Sequence, residues 1–69
     1  MLKLGRYRHF KGNEYRVIGV ARDSETFADM VVYQALDEVG QLWVRPLAVF
    51  LEEVEVDGQR VPRFKYLGE

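Results

Sequence analysis

His9 is the chain's single imidazole, in the run Tyr7-Arg8-His9-Phe10. A group that titrates near neutral pH suits general acid–base chemistry. Its partners for catalysis are missing: there is no cysteine, and Ser24 and Thr26 lie in a polar loop without the glycines of a nucleophile elbow. The sequence favours a structural role, the ring packing beside Tyr7 or donating to a backbone carbonyl, with a binding contact as the alternative. No residue is assigned as catalytic.

The carboxylates group in two places. Glu53, Glu55 and Asp57 alternate, which on a strand puts them on one face about 6.6 Å apart. Two carboxyls at that separation suit glycosidase-like work only if one is desolvated. An alternating exposed strand hydrates all of them, so the row reads as a solvated face that blunts an edge. Asp23, Glu25 and Asp29 lack the spacing and fixed glycine of a calcium loop. No metal and no cofactor is expected.

Trp43 and Arg45 share a strand face at i and i+2, with Tyr33 as a candidate cross-strand neighbour. Aromatic strips of this kind dock polyproline-type peptides or cationic side chains, although a lone Trp is more often core. Arg45 is the one base among nine acids in residues 23–57. A salt bridge to Glu25, Asp29 or Glu53 is its expected structural role and anion recognition its functional one.

Charge is segregated along the chain. Residues 1–22 hold six bases and one acid, and residues 58–69 hold three bases and one acid. If the first and last strands are neighbours, Arg6 and Arg8 meet Arg63 and Lys65 in a basic patch interleaved with rings, as in single-stranded nucleic-acid binders. The pI near 5.8 argues against a dedicated nucleic-acid domain.

The elements that must position these groups are short. Sixty-nine residues make one domain, 1–69, with one small core. A chain with 48% hydrophobic and 30% charged residues and a net charge of −1 is a folded soluble domain with no bulk electrostatic partner. The absence of cysteine points to a reducing cytoplasm, and no segment reads as an export signal or a membrane span.

Arg6–Phe10 alternates into a turn at Gly12-Asn13, and Tyr15–Arg22 follows as a strand with Tyr15, Val17, Gly19 and Ala21 on one face and a bend or bulge at Gly19. Thr26 and Asp29 have capping-box spacing, which suggests a helical turn. Met30–Leu36 is read as a strand, because a helix would leave Val32, Tyr33 and Leu36 on its far side and Val31-Val32-Tyr33 favours β. Leu42–Arg45 is a strand stopped by Pro46, and Pro46–Leu51 is one helical turn. Glu53–Gly58 ends in the hairpin signal Asp57-Gly58, and Gln59–Tyr66 returns as a final strand with Pro62 at an edge or bulge. Five or six short strands argue for an all-β fold, a small antiparallel barrel or roll.

Gly5-Arg6-Tyr7-Arg8-His9-Phe10-Lys11-Gly12, Tyr15-Arg16-Val17, Ser24-Glu25-Thr26, Val32-Tyr33, Trp43-Val44-Arg45-Pro46-Leu47, Phe50 and Val61-Pro62-Arg63-Phe64 resemble the bacterial domain of unknown function 1653 family over nearly the whole chain. The resemblance implies an SH3-like β-barrel and no assigned activity. Its pattern often has a histidine just before Ser-Glu-Thr, where this chain has Asp23, so a two-histidine role is not expected.

The functional expectation is a non-catalytic interaction module, monomeric or homodimeric, that binds a peptide or nucleic acid through Tyr7, His9, Tyr33, Trp43 and Arg45. The alternative is a small-molecule binder or enzyme whose groove at His9, Trp43 and Arg45 is completed by a second subunit. That alternative requires His9 and Arg45 to converge.

Overall fold

The computed structural model describes residues 2–69. Alternating apolar residues between turn signals give seven strands and one helical turn: β1 (Gly5–His9), β2 (Glu14–Arg22), β3 (Asp29–Ala35), β4 (Leu42–Pro46), α1 (Leu47–Phe50), β5 (Glu53–Val56), β6 (Gln59–Pro62) and β7 (Phe64–Gly68). An antiparallel five-stranded sheet runs β4-β3-β2-β1-β7, and β5-β6 form a separate hairpin. Residues 30–35 form most of strand β3 rather than a helix, paired on both sides by β2 and β4, and Leu36 lies just past its end. First and last strands are neighbours, with Arg8 opposite Lys65 and His9 opposite Phe64.

Three local expectations are refined. The expected bulge forms between Val17 and Gly19, with Ile18 as the extra residue, and beyond it the face changes, so that Val20 rather than Ala21 comes opposite the buried Val31. The Asp23–Ala28 connection makes the expected single helical turn, Phe27 N–H donating to Asp23 C=O at 2.8 Å, but its cap is Asp23 and not a Thr26–Asp29 box. Asp23 Oδ1 accepts from the N–H groups of Glu25 and Thr26, Thr26 Oγ1 accepts from Ala28 N–H, and Asp29 begins β3 in an ion pair with Arg22. Gln59–Tyr66 is two strands, because the chain bends at Arg63. There the Arg63 N–H donates to Glu52 C=O and the Arg63 C=O accepts from Phe10 N–H. This bend frees β7 to pair with β1 while β6 stays with β5.

The Asp57-Gly58 turn forms as the sequence predicts, with both residues at positive φ. Asp57 is thereby removed from the carboxylate row, whose remaining Glu53 pairs with Arg60 at 3.2 Å. Gly5 answers to a tighter constraint: its φ is +130°, and a Cβ there would stand 2.8 Å from Gly68 O.

The core is Tyr7, Val17, Val31, Tyr33, Phe50 and Phe64. The short turn α1 delivers Phe50 into it, stacked on Phe64 at 4.1 Å with 6° between the ring planes. A fully buried Phe is worth about 2 to 3 kcal/mol, a large part of the roughly 3 to 10 kcal/mol expected for a domain this small.

Candidate functional site

Phe64 organises the face on which the candidate residues converge. Besides Phe50 it touches Tyr15, Tyr33 and His9 edge-on, at 5.9, 5.5 and 4.9 Å, and the Arg45 guanidinium lies over its ring at 5.4 Å. The register produces this arrangement. Tyr15 faces Ala35, Tyr33 faces Trp43 and His9 faces Phe64, so rings from β1, β2, β3 and β7 meet on one side of the sheet, the side that Trp43 of β4 also faces.

His9 packs against Phe10 and Phe64, not against Tyr7. Its Nδ1 accepts from Lys11 N–H at 3.2 Å instead of donating to a carbonyl. That bond fixes a neutral tautomer with the proton on Nε2. Burial, followed by the positive charges of Arg45, Lys11 and Arg63, holds the imidazole below its ordinary value of 6.5.

Arg45 does not form the salt bridge expected of it. Its Nε donates to the Tyr33 hydroxyl at 3.2 Å, and Glu53 and Asp29 pair with Arg60 and Arg22 instead. Among the described residues no carboxylate lies within ion-pair distance of Arg45. His9 and Arg45 thus both contact Phe64, at 4.9 and 5.4 Å from its ring centre.

Trp43 is half exposed, at 52%, and is not core. With Tyr15 it lines a groove of about 550 Å³ that Leu36, Val39 and Gln41 also line, together with the acids Glu14 and Asp37. Tyr7 and Tyr33, expected on the binding surface, are buried. Tyr7 donates its hydroxyl to Lys3 C=O, and burial, then Tyr66, raises its pKa. Tyr33 supports the surface from beneath by holding Arg45.

The basic patch is assembled but largely neutralised. Arg6 and Arg8 both reach Glu14, at 3.6 and 3.2 Å, and Arg63 reaches Glu52 at 3.5 Å. Lys65 alone of the four lacks an ion pair among the described residues. The Arg63 Nε is buried without a hydrogen-bond partner.

From the sequence, Tyr15 and Phe64 stand only among the rings interleaved with the basic residues. Their alternation was visible, but only the register shows that Tyr15 borders Trp43's groove and that Phe64 is the common neighbour. Among the described residues no three His, Asp or Glu side chains converge to hold a metal ion, and no helix is long and apolar enough to cross a membrane.

No curated protein matches the chain. Among solved structures it is similar to the crystal structure of a DUF1653 protein from Bordetella bronchiseptica, at 36% identity and a TM-score of 0.89, over 97% of this chain and 88% of that one. The family described as protein of unknown function, DUF1653, matches residues 5–66. With nearly the full length matched and the fold shared, the chain belongs to the DUF1653 family.

Proposed function

We propose that this protein is a non-catalytic interaction module of SH3-like layout, acting in the cytoplasm, that binds an extended peptide across Tyr15 and Trp43. The observation that carries the reading is the open groove between these two rings. An exposed Trp beside a Tyr offers rigid apolar area at little entropic cost, the surface that extended and polyproline-type segments use. Glu14 is held by Arg6 and Arg8, but Asp37, which also lines the groove, disfavours a phosphate backbone there and favours an apolar or cationic segment. Arg45, held in place by Tyr33 and Phe64, marks the opposite end of the strip with positive charge.

His9 supports binding over catalysis. Its Nδ1 is already an acceptor for Lys11 N–H, which leaves Nε2–H as a donor and no free lone pair for proton abstraction.

Trp43 is the only tryptophan, so its fluorescence reports directly on the groove. Titration with proline-rich and basic extended peptides is expected to shift its emission saturably, and Trp43→Ala to abolish binding detected by amide chemical shifts at Tyr15 and Leu36. Single-stranded DNA and RNA, titrated at about 50 and 200 mM salt, form the contrasting arm. Binding confined to nucleic acid and mapped to Arg8 and Lys65 would replace the peptide reading.

A further inference from the structure

We propose that two copies of this chain pair antiparallel through β4 about a two-fold axis at Val44, placing Arg45 of the second copy opposite Trp43. In the five-stranded sheet β4 pairs with β3 alone, so its outer edge has no strand beside it. The parity of the β3–β4 ladder decides which backbone groups that edge presents. Ala35 N–H donates to Gln41 C=O at 2.9 Å, and the same register sets Tyr33 opposite Trp43 and Val31 opposite Arg45. Bonded and non-bonded pairs alternate in an antiparallel ladder. Trp43 and Arg45 therefore turn their backbone groups to β3, while the N–H and C=O of Leu42 and Val44, and the C=O of Pro46, point outward. Pro46 fits this parity, because the donor it lacks is one that β3 does not use.

About Val44 the strand complements itself. Val44 meets Val44 and exchanges two hydrogen bonds, and each Leu42 N–H meets a Pro46 C=O. Trp43 falls opposite Arg45 twice, in the closer non-bonded pairs where Cα atoms approach to about 4.5 Å. An indole and a guanidinium at that spacing attract each other while the guanidinium keeps its Nε bond to Tyr33, and no acid stands on β4 to compete. The axis is perpendicular to the sheet, so both grooves open on one side.

The two edges of the sheet are managed differently. β7 carries Lys65, and Lys3 lies over Tyr66 while its carbonyl accepts from Tyr7. β4 instead shows Leu42, Trp43 and Val44 at 54%, 52% and 61% exposure, with its one charge drawn inward to Tyr33. Edges left apolar in this way are templates for another strand. A five-residue ladder is smaller than the 1,200 to 2,000 Å² of a standard interface, so the dimer is expected to be weak and concentration-dependent.

The test is sedimentation of the full chain from about 10 µM to about 1 mM, with hydrogen exchange of the Leu42 and Val44 amides followed over the same range. Dimer should grow with concentration, and both amides should slow in step. Val44→Pro removes an N–H that β3 does not use and should weaken the dimer at least about tenfold. Val44→Lys, which keeps the whole backbone and sets like charges face to face, should do the same. Folded Arg45→Met should also weaken it, an effect absent from a pairing centred on Trp43, where Arg45 would face Gln41. A monomer at every concentration, or a dimer with Leu42 and Val44 unprotected, overturns the proposal, and unchanged dimerisation by Arg45→Met overturns the Val44 axis. The peptide reading is tested separately, since a monomer that still binds peptide would leave it intact.

Discussion

Arg45 donates its Nε proton to the Tyr33 hydroxyl at 3.2 Å, a bond between diagonal neighbours, since Arg45 stands opposite Val31 and Tyr33 opposite Trp43. The same guanidinium lies over Phe64. A planar fork held at its Nε and over a ring cannot be reproduced by an ammonium. Arg45→Lys is expected to cost about 1 kcal/mol, Tyr33→Phe about 0.5 to 1.5 kcal/mol, and the double variant less than the sum. Denaturant unfolding of the four proteins gives the coupling, and strict additivity would mean that the bond contributes nothing.

His9 gives the fold a pH dependence with a defined sign. Its pKa is held below 6.5, by burial first and then by Arg45, Lys11 and Arg63. The unfolded chain therefore binds a proton more readily than the folded one, and stability present above pH 6.5 declines as pH falls from there through the lowered folded value. A shift in the raised direction would give the opposite slope. Thermal melts of the wild type between about pH 7 and pH 5 should show this decline ahead of carboxylate protonation, and His9→Gln should flatten it. Equal slopes would show that the imidazole is not responsible.

Much of this architecture is legible in the alternation of Tyr15–Arg22, Met30–Leu36 and Glu53–Val56, because a period of two and short turns admit few arrangements. Asp57-Gly58 gives its hairpin away by chemistry alone. Gly19 marks the bulge to within one residue, whereas the bend at Arg63 is not legible, since it depends on Glu52 and Phe10, partners distant in sequence. The site follows the same division. Trp43, His9 and Arg45 stand out by residue type, whereas Tyr15 joins them only through register and Tyr7 and Tyr33 withdraw into the core because their strands are central.

At Gly5 the backbone approaches that of Gly68 closely. A side chain there meets Gly68 O at 2.8 Å and must adopt a φ of +130°. Gly5→Ala is expected to cost about 2 to 4 kcal/mol, enough to leave a domain of this size partly unfolded at 37 °C. A melting temperature unchanged by the substitution would show that β1 and β7 can separate at that end.

Phe27 carries the opposite kind of strain. It holds φ at +62° in the Asp23–Ala28 loop with 70% of its surface exposed, so the ring gains little burial for the left-handed backbone. Asn tolerates that region and keeps the N–H that donates to Asp23 C=O. Phe27→Asn should stabilise by about 0.5 to 1 kcal/mol in urea unfolding. A loss of stability instead would show that the ring packs in solution.

Trp43 separates a binding residue from a core residue. A buried Trp reduced to Ala costs about 3 to 5 kcal/mol, and on the upper part of that range this fold would not survive. The indole here lies half exposed on an edge strand, at the position opposite Tyr33, and the hydrogen bond that holds Arg45 does not involve it. Trp43→Ala is therefore expected to lower stability by no more than about 1 kcal/mol while removing the apolar wall of the groove opposite Tyr15. The two readouts are independent: urea midpoint for the fold, and peptide-induced amide shifts at Tyr15 and Leu36 for the groove. A large drop in midpoint would place Trp43 in the core and remove the basis for the groove. A small drop with binding intact would move the contact surface away from β4.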